Sequence, residues 1–166
     1  MERKRGQIDL SFGLIFSVIL IIAFLGFAVY AIINFLGMKD KIEVGKFIDE
    51  LQGDVDTAWK SSQTLDDFSY FLPVNIKEVC FIDESKAGKG GKADIYTELK
   101  NRLAKEANMI FYPLGSSKAI YSKKIEHLDI ANITKTNNPF CIQNRNGKLN
   151  LTLQQDFGGT NLVLIK

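Results

Sequence analysis

The side chains in this sequence that could do chemistry are few and scattered. His127 is the only histidine, in Glu126-His127-Leu128-Asp129, and Cys80 and Cys141 are the only cysteines. A nucleophilic pair needs its base beside a cysteine or serine, and nothing in the spacing brings His127 to Cys80, Cys141 or a serine. One histidine and two cysteines are too few for a zinc or iron–sulfur site. Gly88-Lys89-Gly90-Gly91-Lys92 has the glycines of a phosphate loop but not the GxxxxGK[ST] order. With Lys86 its lysines make at most a weak anion site ahead of a helix, and a flexible, solvated loop otherwise. The acidic pairs Asp66-Asp67 and Asp83-Glu84 fall at loops or element ends, where solvated carboxylates are ordinary and calcium would bind weakly. The expectation is a protein with no catalytic residue, no metal and no cofactor. It does not read as an enzyme.

The two cysteines lie beside aromatics inside expected strands, Val79-Cys80-Phe81 and Phe140-Cys141-Ile142. Two readings stand: a pair of buried free thiols, or one disulfide closing 61 residues, which requires an oxidising exterior. Two glycosylation sequons, Asn132-Ile133-Thr134 and Asn150-Leu151-Thr152, point to that same side of a membrane.

The elements that must carry these residues divide sharply by composition. Averages of 46% hydrophobic and 24% charged suggest an ordinary globular protein, yet Leu10 to Met38 contains no charge at all. As a helix these 29 residues reach roughly 43 Å, more than the ~30 Å of hydrocarbon in a bilayer. That is too long for a cleaved secretory signal and too apolar all round for a soluble core helix. It reads as a transmembrane helix, with the lipid bilayer as its first partner. Arg3, Lys4 and Arg5 precede it, and Lys39, Lys41 and Lys46 follow, so the positive-inside count is level. The short N-terminus is placed in the cytoplasm and the C-terminal domain outside.

Lys4-Arg5-Gly6-Gln7 sets a basic cluster, a glycine and a glutamine directly against the apolar run. An anchor needs only the charges. In these residues the chain resembles archaeal type IV pilin-like proteins with a class III, prepilin-type signal peptide. The resemblance implies a leader of residues 1–6, a cut by prepilin peptidase between Gly6 and Gln7, and a hydrophobic helix kept in the mature subunit. It further implies assembly with copies of itself or other pilin-like subunits through residues 8–36. Asp9, Ser11, Phe12, Phe16, Leu20, Phe24 and Phe27 are the expected assembly positions. The family often carries Glu at the fifth mature position; this chain has Ser11 there, with Asp9 at the third. The alternative is a single-pass cell-surface ectodomain that binds a protein or surface ligand and never polymerises.

Beyond Met38 the pattern turns amphipathic. Val44, Ile48, Leu51, Val55 and Ala58 recur at spacings of four and three, widened by Phe47 and Trp59, with Asp49, Glu50, Asp54, Asp56 and Lys60 opposite. The spacing predicts a span over 7–38 continuing as an amphipathic helix over 39–63. Residues 64–166 read as an antiparallel sheet ectodomain with one helix over 94–107. The fold class is α+β, a long helix packed on a small antiparallel sheet. Strands are expected at 76–82, 109–112, 119–121, 125–133, 140–144, 148–154 and 162–165, with a hairpin turn at Arg145-Asn146-Gly147. From Asp40 onward 17 basic residues balance 17 acidic ones. A neutral domain without a basic stripe argues against nucleic acid as a partner.

Overall fold

The computed structural model describes residues 12–61, 66–118, 120–155 and 162–166. Helix α1 runs without interruption from Phe12 to Lys60. The chain divides after Met38 into two compact units, and α1 contributes to each.

In the first unit every residue from Phe12 to Leu36 is exposed. The Ser17 hydroxyl donates to the Gly13 carbonyl (2.7 Å) and the Asn34 amide to the Tyr30 carbonyl (3.2 Å). These two polar side chains are thus satisfied inside the helix, as they would have to be in hydrocarbon. By length and composition this helix suffices to cross a membrane.

In the second unit a seven-stranded antiparallel sheet lies between two helices. The strands are β1 (Asp66–Phe71), β2 (Glu78–Phe81), β3 (Met109–Tyr112), β4 (Ser122–Lys123), β5 (Phe140–Arg145), β6 (Lys148–Gln155) and β7 (Val163–Ile165). Their order is β1-β6-β5-β2-β3-β4, with β7 also paired to β6. Helix α2 is Ala93–Lys100 and helix α3 is Ile130–Ile133.

Alternation along the strands divides the core in two. Val79, Phe81, Met109, Phe111, Leu149, Leu151 and Leu153 pack with Val44, Phe47, Ile48, Leu51 and Val55 of α1. Cys80, Ile82 and Ile110 face the other way, against Tyr96 and Leu99 of α2. The central strand β2 is accordingly buried at every position. Asn146 (φ 54°) and Gly147 (φ 85°) both take the left-handed conformation that a two-residue hairpin requires. The α+β class and the packing of a long helix on an antiparallel sheet match the sequence reading.

Several boundaries differ from it. Helix α2 stops at Lys100 instead of reaching 107, although Leu103 and Ala107 keep helical spacing. Ser122 Oγ takes the Ala104 N–H (3.0 Å) and Glu106 adopts φ 65°, so the chain turns and cannot continue the helix. The expected strand 125–133 is not one. His127 has φ 63°, and the Asp129 side chain accepts from the Asn132 N–H at 3.0 Å to cap α3. Ile120 and Tyr121 lie outside any strand; β4 begins at Ser122, and Ala119 falls outside the described residues. Strand β1 occupies a segment in which no strand was expected. The long helix ends at Lys60, and 62 and 63 fall outside the described residues.

The loop expected to be flexible is fixed in place. Asn138 is fully buried; its amide donates to the Asp83 and Ala87 carbonyls (3.0 and 3.2 Å) and its oxygen accepts the Asp83 N–H (3.1 Å). Lys89 and Asn138 exchange backbone hydrogen bonds, each 2.9 Å. A Cβ at Gly88 would come within 2.6 Å of Tyr96, so the backbone approach there needs glycine.

Two fragments test the packing. Lys39–Lys166 should be soluble and melt cooperatively. A fragment starting at Asp66 loses five buried side chains of α1, worth about 1.5–3 kcal/mol each against a typical total of about 5–15 kcal/mol. It should show no cooperative melt by near-UV circular dichroism. A matching transition in both fragments would refute the role given to α1.

Candidate functional site

Three places in the molecule hold side chains of functional interest: the apolar half of α1, a polar cluster where its second half meets the sheet domain, and the α2 face of the sheet.

On the apolar half, Phe12, Phe16, Leu20, Phe24 and Phe27 are each between 40% and 83% exposed. Nothing among the described residues covers them. Beyond the neighbouring backbone of their own helix, Gly26 and Gly37 have no atom within 4 Å of where a Cβ would stand. Gly6, Gln7, Asp9 and Ser11 lie outside the described residues.

The polar cluster gathers residues that the sequence keeps far apart. Asp56 and Trp59, one helical turn apart on α1, meet His127. Nδ1 of His127 lies 2.9 Å from Asp56 Oδ1, and the imidazole stacks on the Trp59 ring at 3.8 Å with 3° between planes. Gln52 completes it: its amide donates to Asp56 Oδ1 (2.8 Å) and its oxygen accepts the Glu126 N–H (2.9 Å). The hydrogen bond to His127 holds the Asp56 carboxyl below the usual carboxylate range; burial opposes this, and the Gln52 bond adds to it. An ionised carboxylate only accepts, so the imidazole carries its proton on Nδ1. The left-handed backbone at His127 turns the ring toward α1, and its carbonyl accepts the Val163 N–H (2.8 Å), which fixes the loop to β7. Nearby Ser122 lines the same groove, but its oxygen is committed to the Ala104 N–H. What this arrangement does is clamp the loop before α3 to the helix. The sequence reading took His127, Asp56 and Trp59 one at a time; the three-residue spacing of Asp56 and Trp59 was the available signal.

A second polar link strengthens the clamp. The Tyr70 hydroxyl donates to Asp54 Oδ2 at 2.7 Å. Burial and then this carboxylate push the phenol well above its ordinary range, so it stays a donor at any physiological pH.

On the α2 face, Cys80 and Cys141 are joined in a disulfide that spans 61 residues and links directly paired positions of β2 and β5. Glu78 lies close enough to the sulfurs to form a cluster of three potential metal ligands. Bonded sulfurs offer no thiolate, so this is not a metal centre. Glu78 is instead buried and held by Lys92 Nζ at 2.8 and 2.9 Å, and this bond raises the Lys92 pKa. Asp83 is similarly committed: Ser85 N–H and Oγ and Lys86 Nζ (3.1 Å) surround it. Burial works against its charge, yet these donors outweigh it and the carboxyl stays below its usual range. Two of the three loop lysines are thereby paired with carboxylates, and both oxygens of Asp83 already accept from Ser85 or Lys86. In the other acidic pair, Asp67 Oδ1 accepts from the Thr152 hydroxyl at 2.6 Å.

Both sequon asparagines, Asn132 and Asn150, are exposed. Their threonines differ: Thr134 is fully buried and donates to the Ile130 carbonyl at 2.6 Å, whereas Thr152 is half-buried on β6. Comparison with protein-family models, curated proteins and solved structures finds no match to this chain.

The Asp56 clamp sets a pH dependence. A carboxyl whose pKa is depressed on folding contributes stability above the unfolded value near 3.8. That contribution disappears as pH falls through and below this value. Because the pair is about one-third exposed, Asp56→Asn should cost no more than about 1 kcal/mol at pH 7. In urea titrations the gap between Asp56→Asn and wild type should close toward pH 3. A gap that persists undiminished there would show that the carboxylate charge is not what the clamp uses.

Proposed function

We propose that this protein is a membrane-anchored structural subunit, similar to archaeal type IV pilins or pseudopilins, that assembles through its N-terminal hydrophobic helix. The observation that carries this reading is the run from Phe12 to Leu36, exposed at every position, on the same helix whose continuation buries one stripe, Val44, Phe47, Ile48, Leu51 and Val55. Apolar surface of that extent is stable only when covered by lipid or by like helices. The basic leader ending at Gly6, with Gln7 behind it, supports the second kind of cover as the mature state. Its work is then mechanical rather than catalytic, with the sheet domain presented on the outer side of the cell membrane.

Processing gives the helix its freedom to move between the two kinds of cover. Removing residues 1–6 takes away Arg3, Lys4 and Arg5 together with Glu2, leaving 18 basic and 18 acidic side chains from 21 and 19. An uncleaved chain keeps three cations that each cost about 2.5–3.5 kcal/mol near the bilayer centre. With the leader gone, the apolar end can leave the bilayer and enter a bundle without carrying those cations through hydrocarbon.

The experiment is N-terminal peptide mass spectrometry on protein made alongside a matching prepilin peptidase. The expected mature chain begins at Gln7, and Gly6→Leu should block the cut. Mild detergent should release stacked oligomers of the cleaved form. Chains beginning only at Met1 or Glu2, recovered as monomers, would move the assignment to an anchored ectodomain that binds its partner alone.

A further inference from the structure

Strand β5 lies inside the strand order, between β6 and β2, yet none of its residues is buried. Its neighbour β2 is buried at every position. The ladders account for the difference. β5 pairs with β2 along residues 140–143, but with β6 only at Asn144 and Arg145. The β6 register, continued, would set Gln143 against Asn150 and Cys141 against Thr152. Thr152 instead exchanges both backbone hydrogen bonds with Lys166, each 3.0 Å. From there on β7 takes that side of β6, and residues 140–143 have a strand on one side only.

Antiparallel pairing fixes which backbone groups are left over. The Asn144 N–H donates to the Lys77 carbonyl (2.8 Å), so Asn144 turns its backbone toward β2, and by alternation Ile142 does the same. The backbone of Cys141 and Gln143 turns the other way. It faces a cleft of about 370 Å³ bounded by residues 140–143, Arg145, Lys148, Asn150 and Lys166. Exposed strand edges are usually blunted by charge or proline along their length. Phe140-Cys141-Ile142-Gln143 has neither, and Phe140 and Ile142 favour strand.

The charges that line this cleft are of one sign. Arg145, Lys148 and Lys166 are exposed, and no carboxylate side chain among the described residues lies within ion-pair distance of them. Lys148 Nζ lies 5.6 Å from the centre of the Phe71 ring, a contact that leaves its charge unneutralised. Asp67 stands in the adjoining groove, where its Oδ1 accepts from the Thr152 hydroxyl.

We propose that this cleft takes an extended, acidic segment of a partner protein, which adds as a strand along residues 140–143. The segment's backbone meets Cys141 and Gln143, and its carboxylates meet Arg145, Lys148 and Lys166. In strand addition the main chain supplies affinity and alternate side chains supply selectivity. A second copy is a poor occupant, because two β5 edges would bring both sets of cations to one interface, where like charges oppose association. The inference stands on the sheet domain alone and does not depend on what covers the apolar half of α1.

The test uses the full chain in detergent micelles and three labelled peptides. One alternates valine with glutamate, one alternates valine with lysine, and the third is the glutamate peptide N-methylated at alternate residues, so that it cannot pair. Fluorescence anisotropy reads binding, and amide hydrogen exchange followed by nuclear magnetic resonance reads its place. The glutamate peptide should bind saturably and the lysine peptide should not. N-methylation should weaken binding by about tenfold or more. Exchange should slow at Cys141 and Gln143 but not at Ile142, whose N–H already faces β2. Arg145→Gln and Lys148→Gln, both exposed and outside the core, should each weaken binding by up to about fivefold. Binding matched by the N-methylated peptide, or without slower exchange at 141 and 143, would overturn strand addition. Equal binding of the lysine peptide, or no binding of the glutamate peptide, would overturn the acidic occupant. Protection at 141 and 143 that rises with protein concentration, with no peptide added, would give the edge to a second copy and overturn the proposal.

Discussion

The ring of Phe47 meets Tyr70 of β1 at 5.4 Å and 84°, and Phe111 of β3 at 5.9 Å and 64°. Edge-on pairs of this kind add about 0.5–1.5 kcal/mol each beyond the area they bury. One side chain of α1 thus ties together strands that lie far apart in the sheet order. Around it Val44, Ile48, Leu51 and Val55 complete one wall of the larger core, and the facing wall is made of residues from β1, β2, β3, β6 and β7. Ile125, Leu128 and Ile133, from the segment that carries α3, join the same cluster. In energetic terms the second half of α1 belongs to the domain, and the polar links to Tyr70, Glu126, His127 and Lys118 set its register once the apolar contact is made.

The same helix is answerable to two surroundings, and its side chains change accordingly within about two turns. Up to Leu36 every face is apolar and exposed; from Val44 one stripe is buried and the rest carries charge. This part of the structure was fully legible in the sequence, because hydrophobic periodicity is a local property that a helix expresses whatever it packs against. The strands of the β5–β6 hairpin were legible for a similar reason. Leu149, Leu151 and Leu153 alternate cleanly, and Asn146-Gly147 demands a tight turn.

What the sequence concealed depends on contacts across long separations. Asp66-Asp67-Phe68-Ser69-Tyr70-Phe71 has only Phe68 and Tyr70 to mark an inner face, and it becomes a strand because β6 offers six paired positions to it. The stretch 125–133 has β-branched residues in plenty, yet Asp129 prefers to cap a helical turn, and Leu128 joins Val163 through a single bridge only. Glycine and lysine made 85–92 look like a flexible, solvated loop; it is mostly exposed, but the buried amide of Asn138, some fifty residues away, holds its backbone. The His127 cluster is the same case. Asp56 and His127 are separated by 71 residues, so the helix face could be read but its partner could not.

The two faces of the sheet are secured by different physics, and the division matters for a domain that owes so much of its core to one helix. On the α1 face, stability comes from burial, and it is lost if the helix is pulled away. On the α2 face, Cys80–Cys141 locks β2 to β5 at the centre of the strand order, with the buried Glu78–Lys92 pair beside it. A cross-link closing 61 residues restricts the unfolded chain by about 4 kcal/mol on the chain-entropy account. That contribution does not depend on α1 at all. Strands β1, β6 and β7 lie outside the loop it closes, and α1 packs on their inner face. Mechanical load applied along α1 would therefore reach the β1–β6 edge of the sheet first and the disulfide-linked centre last. A domain pulled along this helix keeps its central strands paired for longer than it keeps its outer ones.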